Sequence, residues 1–373
     1  MSESPLYERI RTDLLAQIQR GEFTPNEPFV TQRSLREKYK VSSTTAIRVL
    51  TTMAAEGYLE RRRGLGSFVR TPEDARRPAG TTRQTVIYVG HAQGTFHAAL
   101  LDGIRSAATA RSMTLELARA GQTAAEQAQV LAEAAESGAA GIILYPVDGP
   151  PDETLARTLL RHGDAPLVVV DRFFPTIPTD AVVADNFGIG RSLTTLLLSA
   201  GHENIACLWQ EVDCTSVRDR QAGHRDALAD YGRGQHPDLF VLRPYFTLPK
   251  PERIRILKGF LERTDPVTAF LCSNAYVAAQ AAADLAELGI GVPDDVDLAS
   301  MDSMGPYDVL PLARFSARVD AAAIGVHAVT AALTRARAPK SIPAQIVVPA
   351  VIESHDHADA YLAVRSRSHP GRG

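Results

Sequence analysis

Apolar positions Leu6, Ile10, Leu14 and Ile18 recur at helical spacing near the start of the chain and stop at Gly21. This predicts a first helix of about four turns. A turn holding Pro25 and Pro28 follows, then a second helix from Thr31, an N-cap residue type, to Lys40. A third helix begins at Ser42 or Ser43 and ends near Gly57. The stretches YLERRR and GSFVR, separated by Gly64-Leu65-Gly66, alternate like two short strands around a glycine turn. Three helices followed by a small hairpin make a winged helix-turn-helix.

Between residues 71 and 85 the sequence TPEDARRPAGTTRQT has no apolar period and reads as a linker. Apolar runs then alternate with helical stretches: TVIYVG, a helix from Ala98 to Arg111, GIILYPV, PLVVVD and a helix from Gly188 to Ser199. NIACLW, a helix from Gln221 to Tyr231, AFLCS and a helix from Tyr276 to Leu288 continue the alternation. It predicts an α/β domain with parallel sheets covered on both faces, long enough for two lobes. In such sheets ligands bind beyond the carboxyl ends of the strands, so the residues just after each strand are candidates for chemistry. The expected division is 1–71 for the first domain, 72–84 for the linker, 85–362 for the second domain and 363–373 for a disordered tail.

Composition adds little to this picture, and charge adds more. The 373 residues are 45% hydrophobic and 22% charged, ordinary for a soluble protein of two or three domains. Residues 1–71 hold 12 Lys/Arg against 8 Asp/Glu, a balance of +4 within a whole-chain charge of −3. A basic small segment on an acidic larger one points to a polyanion partner, although solvated helices reach +4 as well. Cys207, Cys214 and Cys272 have neither CxxC nor metal-ligand spacing, which argues against a disulfide scaffold or a zinc site and suits a reducing cytoplasm. No signal-peptide pattern or membrane-length apolar run is evident, so a cytoplasmic protein without a membrane partner is expected.

On an ideal third helix Ala46, Val49, Leu50 and Met53 form one stripe, while Thr44, Arg48 and Thr51 point away from it. Such residues suit phosphates and base edges in a major groove, and they equally suit an ordinary solvated face. The segment from PLYERI through VSSTTAIRVL and EGYLERR to RGLGSFV resembles, motif by motif, the DNA-binding domain of GntR-family transcription regulators. That resemblance implies DNA contacts from Arg33, from Ser42, Ser43, Thr44 and Thr45, and from Gly64, with Arg62 and Arg63 flanking the wing. The family commonly has Arg where Ser43 and Ile47 stand, so Arg48 is the candidate replacement for a lost cationic contact.

The later stretches VVVDRFFPTIPTDAVVADNFGIGRSL, SAGHENIACL, TSVRDRQAGHRDAL, PVTAFLCSNAYVAAQAAADLAELGIGVPDDVDLASMDS and FSARVDAAAIG resemble the LacI-type effector domain, itself similar to periplasmic sugar-binding proteins. The resemblance implies effector contacts from Asp171 and Arg172, from Ser216 and Arg220 in a loop, and from Asn274 and Asp302. Carboxylate, guanidinium and amide groups together suit bidentate bonding of neighbouring sugar hydroxyls. A stacking aromatic is sought among Phe96, Phe173, Tyr245 and Phe246, with Phe96 and Tyr245 foremost. The bland alternatives are structural: Asp302 as a helix cap, Arg220 paired with Asp219 or Asp226, and the aromatics as core. Ala275 and Val319 stand where the family has polar residues, which opens the ligand class to a less hydroxylated sugar, a sugar phosphate or a non-sugar.

Other constellations carry less. His355 and His357 flank Asp356, but no third metal ligand is evident and a solvated tail is the simpler reading. Gly188-Ile189-Gly190 lacks a full GxGxxG context, and Ser216 has no GxSxG elbow. His202 follows a helix and reads as part of its C-terminal cap. The expectation is therefore a small winged helix-turn-helix domain followed by a two-lobed periplasmic-binding-protein-like domain. It would act as a homodimeric, non-enzymatic repressor on a palindromic operator, controlled by a carbohydrate effector and needing no cofactor or metal. A solute-binding component of an uptake system and an α/β enzyme are the alternatives.

Overall fold

In the computed structural model the described residues are 6–355 except 21, 23–28, 56–57, 63–65, 70–84, 92, 122, 162–164, 212, 235, 242 and 304–311. The chain divides into two compact units, Met1–Thr82 and Arg83–Gly373. The expected linker 72–84, the tail 363–373, His357 and the wing-turn residues Arg63 and Gly64 lie outside the described residues.

In the first unit, α1 (Leu6–Gln19), α2 (Gln32–Tyr39) and α3 (Ser43–Ala55) enclose one core. That core is built from Ile10, Leu14, Leu35, Ala46, Val49, Leu50 and Met53, as the helical periods predict. Thr31 caps α2 in a reciprocal box with Ser34, and the helix stops where Lys40 turns left-handed at φ 51°. Ser42 begins α3: its Oγ accepts the Thr45 amide at 3.2 Å and its carbonyl accepts that of Ala46. The hairpin pairs β1 (Leu59–Arg62) with β2 (Gly66–Val69) antiparallel, and Leu59 and Val69 close the core.

The second unit has two six-stranded sheets. The first contains β3 (Thr85–Gly90), β4 (Thr114–Arg119), β5 (Gly141–Leu144), β6 (Leu167–Val170), β7 (Asp180–Ala184) and β13 (Gln345–Val348). Their order is β13-β7-β6-β5-β3-β4, with every pair parallel. The second contains β8 (Ile205–Leu208), β9 (Phe240–Val241), β10 (Ala269–Cys272), β11 (Asp297–Ser300), β12 (Phe315–Val319) and β14 (Ala350–Ser354). Their order is β14-β12-β11-β10-β8-β9, and β14 alone runs antiparallel to its neighbour. Runs such as LVVV in β6 and AFLC in β10 are buried throughout, as strands covered on both faces must be.

Eight α-helices are described in this unit: α4 (Thr95–Thr109), α5 (Ala124–Glu136), α6 (Glu153–Arg161), α7 (Asn186–Ser199), α8 (Thr215–Asp230), α9 (Lys250–Leu261), α10 (Ala275–Glu287) and α11 (Ala321–Arg337). The chain passes from one lobe to the other after β7, after β12 and again between β13 and β14. Asp185 and Asp320 stand at the first two crossings and cap α7 and α11 by accepting the amides of Gly188 and Ala323. Each lobe holds one tightly packed helix pair. A Cβ on Gly103 of α4 would lie 2.0 Å from the Ala322 carbonyl beside α11, and one on Gly223 of α8 would lie 2.0 Å from the Phe187 carbonyl in α7. Only glycine lets these backbones approach so closely.

One sequence expectation needs correcting. The segment TSVRDRQAG is not a loop: α8 starts at Thr215, six residues before the expected Gln221. Its polar surface hides the helical period, while Thr215, Ser216, Val217, Gly223 and His224 form the buried face. Among the described residues no helix is long and apolar enough to cross a membrane.

Candidate ligand cleft and nucleic-acid interface

The strand ends of both sheets in the second unit converge on one cavity of about 320 Å³. From the first lobe, His91 follows β3, Thr95, Phe96 and His97 open α4, Tyr145 follows β5, and Asp171 and Arg172 follow β6. From the second lobe come Glu211 after β8, Ser216, Val217 and Arg220 in α8, Ser273, Asn274 and Tyr276 after β10, Asp302 after β11, and Val319 ending β12. Parallel strands present their carboxyl ends on one side, which is why residues far apart in sequence meet here. The lobes also touch directly: the Phe173 amide donates to Thr215 Oγ1 at 3.0 Å and the Gly149 amide to the Asp213 carbonyl at 3.0 Å.

Both arginines are held in place by the protein. Arg172, 7% exposed, donates to Asp171 Oδ2 at 3.0 Å and to Tyr145 Oη at 2.8 Å, and its guanidinium lies 3.7 Å from Asp148. Asp171 itself adopts φ 70°, a backbone conformation uncommon outside glycine, which turns the chain sharply at the end of β6. Arg220 donates through Nε to Asn186 Oδ1 at 2.9 Å and through Nη1 to the Ser273 carbonyl at 2.9 Å. Among the described residues its Nη2 has no protein acceptor. The structural alternative for Arg220, pairing with Asp219 or Asp226, is not what forms; Asp226 pairs with Arg191 instead.

Asp302 makes no ion pair among the described residues. Burial pushes its carboxyl up to about 7; Arg220 opposes that rise, Asp171 and Glu211 add to it, and a backbone hydrogen bond from Ser303 opposes it. Asn274 spends its Oδ1 on capping α10, accepting the Val277 amide at 3.0 Å, so its amide nitrogen is the group left for a ligand. Ser216 is 7% exposed and its Oγ lies 3.2 Å from Cys214 Sγ.

The structure thus brings Phe96, Asp171, Arg172, Ser216, Arg220, Asn274 and Asp302 together. It does not bring Tyr245. That ring is fully buried in the core of the second lobe, with its hydroxyl donating to Asp284 Oδ2 at 3.2 Å. A short 3-10 turn, Tyr245–Thr247, is tied to the end of β8 by the Tyr245 amide on the Trp209 carbonyl, and it turns the ring into the core against α10. Phe173 packs on the outer core of the first lobe and Phe246 is 49% exposed, so neither lines the cleft. The sequence reading missed His91, His97, Tyr145, Glu211 and Tyr276. Position immediately after β3 and β5 was the available signal for His91 and Tyr145.

Two histidines outside the cleft have defined partners. His202 has its amide on the Leu197 carbonyl, in keeping with a helix cap, and its ring bridges Asp297 Oδ2 at 2.7 Å and Thr268 Oγ1 at 2.9 Å. His355 is not part of a solvated tail: its ring bonds Ser316 Oγ at 2.9 Å and its amide continues the sheet by donating to Arg314. Among the described residues no group of His, Cys, Asp and Glu is placed to hold a metal ion.

In the first unit, Thr44, Ile47, Arg48 and Thr51 are exposed on α3, and Ser43 and Thr45 are half-buried. Ser42 is exposed but engaged as the cap of the helix. The Arg48 guanidinium rests over the Tyr7 ring of α1, 4.2 Å from its centre. Arg33 occupies the second position of α2, and Arg62 ends β1; only their backbones are described.

A helix-turn-helix unit with a hairpin, followed by a two-lobed domain with a polar interlobe cleft, is the architecture of a regulator that couples a DNA-binding head to a ligand-binding body. Residues 6–69 match the family "Bacterial regulatory proteins, gntR family", and residues 194–354 match "Periplasmic binding protein-like domain". The chain therefore carries a gntR-type helix-turn-helix segment and a periplasmic-binding-protein-like domain. It is 26% identical over 224 residues to the HTH-type transcriptional repressor PurR of Vibrio campbellii, covering 60% of this chain and 66% of that protein. It is 23% identical to the arabinose metabolism transcriptional repressor of Geobacillus stearothermophilus over 308 residues, 80% of this chain and 82% of that one. Among solved structures, the complex of the transcriptional regulator CelR with cellobiose superimposes with a TM-score of 0.61 at 21% identity, over 84% of this chain and 90% of the other.

Proposed function

We propose that the protein is a transcription repressor whose grip on a palindromic operator is set by a small carbohydrate or carbohydrate derivative bound in the cleft. The observation that carries this reading is the cleft itself: Arg220 and Asp302, from α8 and from the end of β11, border one cavity with donor and acceptor groups left for a ligand. A guanidinium edge and a carboxylate are the pair that bonds adjacent hydroxyls in bidentate fashion. The arabinose repressor and the cellobiose complex support the ligand class, and PurR supports the sign of regulation.

In this reading residues 1–71 bind DNA, 72–84 link, 85–362 bind effector and dimerise, and 363–373 form a tail. Arg33, Ser42–Thr45, Arg48, Arg62, Arg63 and Gly64 face the operator. Two-fold symmetry of the dimer matches two operator half-sites. Ligand closes the cleft by bridging the lobes and releases DNA only to the extent that it binds the two states unequally, a coupling of roughly 1–3 kcal/mol. The protein uses no catalytic step and acts in the cytoplasm.

Retardation of DNA taken from upstream of its own coding region tests the reading. The expected result is a shifted band that weakens on adding a sugar that also raises the melting temperature by mass action. Retention of the band at saturating sugar would refute ligand-controlled release, and sedimentation at monomer mass would refute the dimer.

A further inference from the structure

The wall of the cleft that comes from β3, α4 and β5 is made of rings. The His97 ring centre lies 4.3 Å from that of His91 and 4.5 Å from that of Tyr145, and the residue is only 6% exposed. Its Nε2 is buried without a hydrogen-bond partner among the described residues. Trp209 Nε1 shares that condition, but of the two residues only His97 borders the cleft. Buried polar atoms are nearly always satisfied, so one left open beside a ligand cavity calls for a partner from the ligand.

The other ring nitrogen identifies what that partner must be. The imidazole lies against the Gln93 backbone in the sense that favours a protonated nitrogen, as a ring N–H facing a carbonyl does. Because Nε2 is the unpartnered atom, Nδ1 is the donor. Burial and the neighbouring His91 push His97 down to about 4, so the ring is neutral near pH 7. A neutral ring protonated at Nδ1 offers a bare lone pair at Nε2.

The surrounding charge narrows the ligand further. Asp171, Glu211 and Asp302 border the cavity against Arg172 and Arg220, and Arg172 is already paired with Asp171. With that pair set aside, Glu211 and the partly ionised Asp302 already offset Arg220, so an added phosphate would find no unbalanced guanidinium. The cavity, about 320 Å³, is at the small end of ligand sites.

We propose that His97 is a specificity-determining contact: its Nε2 accepts a hydrogen bond from a ligand hydroxyl, and the acceptor-rich cleft around it selects an uncharged polyhydroxy compound over its phosphate ester. The inference rests on the cleft being the effector site.

Two measurements on the full chain test it. The first is imidazole nitrogen NMR of the free protein, with His97 assigned by its disappearance in His97→Gln; the expected tautomer at pH 7 is Nδ1–H, and an Nε2–H tautomer overturns the His97 contact without reference to any ligand. The second is calorimetric titration with D-ribose, L-arabinose, D-xylose, D-glucose, D-galactose, D-ribose 5-phosphate and D-glucose 6-phosphate. At least one free sugar should bind, roughly tenfold or more tighter than any phosphate; His97→Phe should weaken it by roughly tenfold, and His97→Gln, which restores an acceptor at that point, should recover most of the loss. Unchanged affinity in His97→Phe overturns the contact. Preference for the phosphates overturns the charge selection and leaves the cleft as the ligand site, whereas no binding by any of the seven overturns the carbohydrate-effector reading on which the inference rests.

Discussion

The guanidinium of Arg48 lies 4.2 Å from the centre of the Tyr7 ring, so this α3 arginine is stacked on α1 rather than held only by solvent. An exposed stack of this kind is worth about 0.5–1 kcal/mol and restricts where the cation can reach. Arg48→Ala should weaken operator binding about tenfold and lower the salt slope by about one, as loss of a single phosphate contact does. Tyr7→Leu should leave the salt slope intact and cost only a few-fold in affinity. Fluorescence anisotropy across a salt series separates the two, and an Arg48→Ala protein with unchanged affinity would remove Arg48 from the interface.

Asp302 carries a pH signature. Its carboxyl is raised to about 7 in the folded protein against about 3.9 for a free aspartate, so the folded state holds a proton that the unfolded chain has released. The associated stability is fully present below about pH 4, declines progressively above it, and is gone once pH has risen through about 7. Asp302→Asn should therefore come nearest to wild type in melting temperature below about pH 4 and exceed it by a growing margin up to about pH 7 and beyond. The same variant should lose the response to the bound sugar at every pH while still retarding DNA. Equal pH profiles for the two proteins would refute the raised carboxyl.

Close packing of α7 on α8 depends on Gly223. Gly223→Ala places a methyl 2.0 Å from the Phe187 carbonyl, an obstacle made of backbone, and should destabilise the second unit by about 1–3 kcal/mol. Gly259→Ala, whose Cβ meets nothing within 4 Å on α9, should instead stabilise by up to about 1 kcal/mol through helix propensity. Urea titrations of the pair check this, and a neutral Gly223→Ala would mean that the helices part without cost.

Tyr245, an expected ligand contact, belongs to a buried network with Arg253 and Asp284. Tyr245→Phe should cost about 1 kcal/mol and leave sugar affinity within about twofold. Asp284→Ala strands the Arg253 charge and should cost about 3–5 kcal/mol. A large loss of sugar affinity in Tyr245→Phe, with stability preserved, would return Tyr245 to the site.

Local pattern sufficed wherever neighbours in sequence decide structure. Apolar spacing and cap chemistry placed α1, α2 and α3 to within a few residues, because Thr31 and Ser42 act on amides three residues away. Continuous apolar runs marked β3, β5, β6, β8 and β10, and the strand-end rule agrees with the placement of Asp171, Asn274 and Asp302, which the resemblance to the LacI-type domain supplied. The same resemblance supplied Arg172, Ser216 and Arg220. Less legible were elements whose period is masked, such as the polar-faced start of α8 and the largely exposed strand β4.

Tertiary structure decided the rest. Whether an aromatic near a strand end lines the cleft or fills a core depends on which way the fold turns its ring, and Tyr245 and Tyr145 are indistinguishable by composition alone. The neutral state of His97 and the raised carboxyl of Asp302 arise from burial and from charges brought together by parallel strands; Asp171 bears on both, on His97 within its own lobe and on Asp302 across the cleft, at separations that no local pattern encodes. Sequence by itself determined the kinds of group available; their protonation, partners and direction were set by packing, because electrostatic and desolvation energies depend on distance in space and not along the chain.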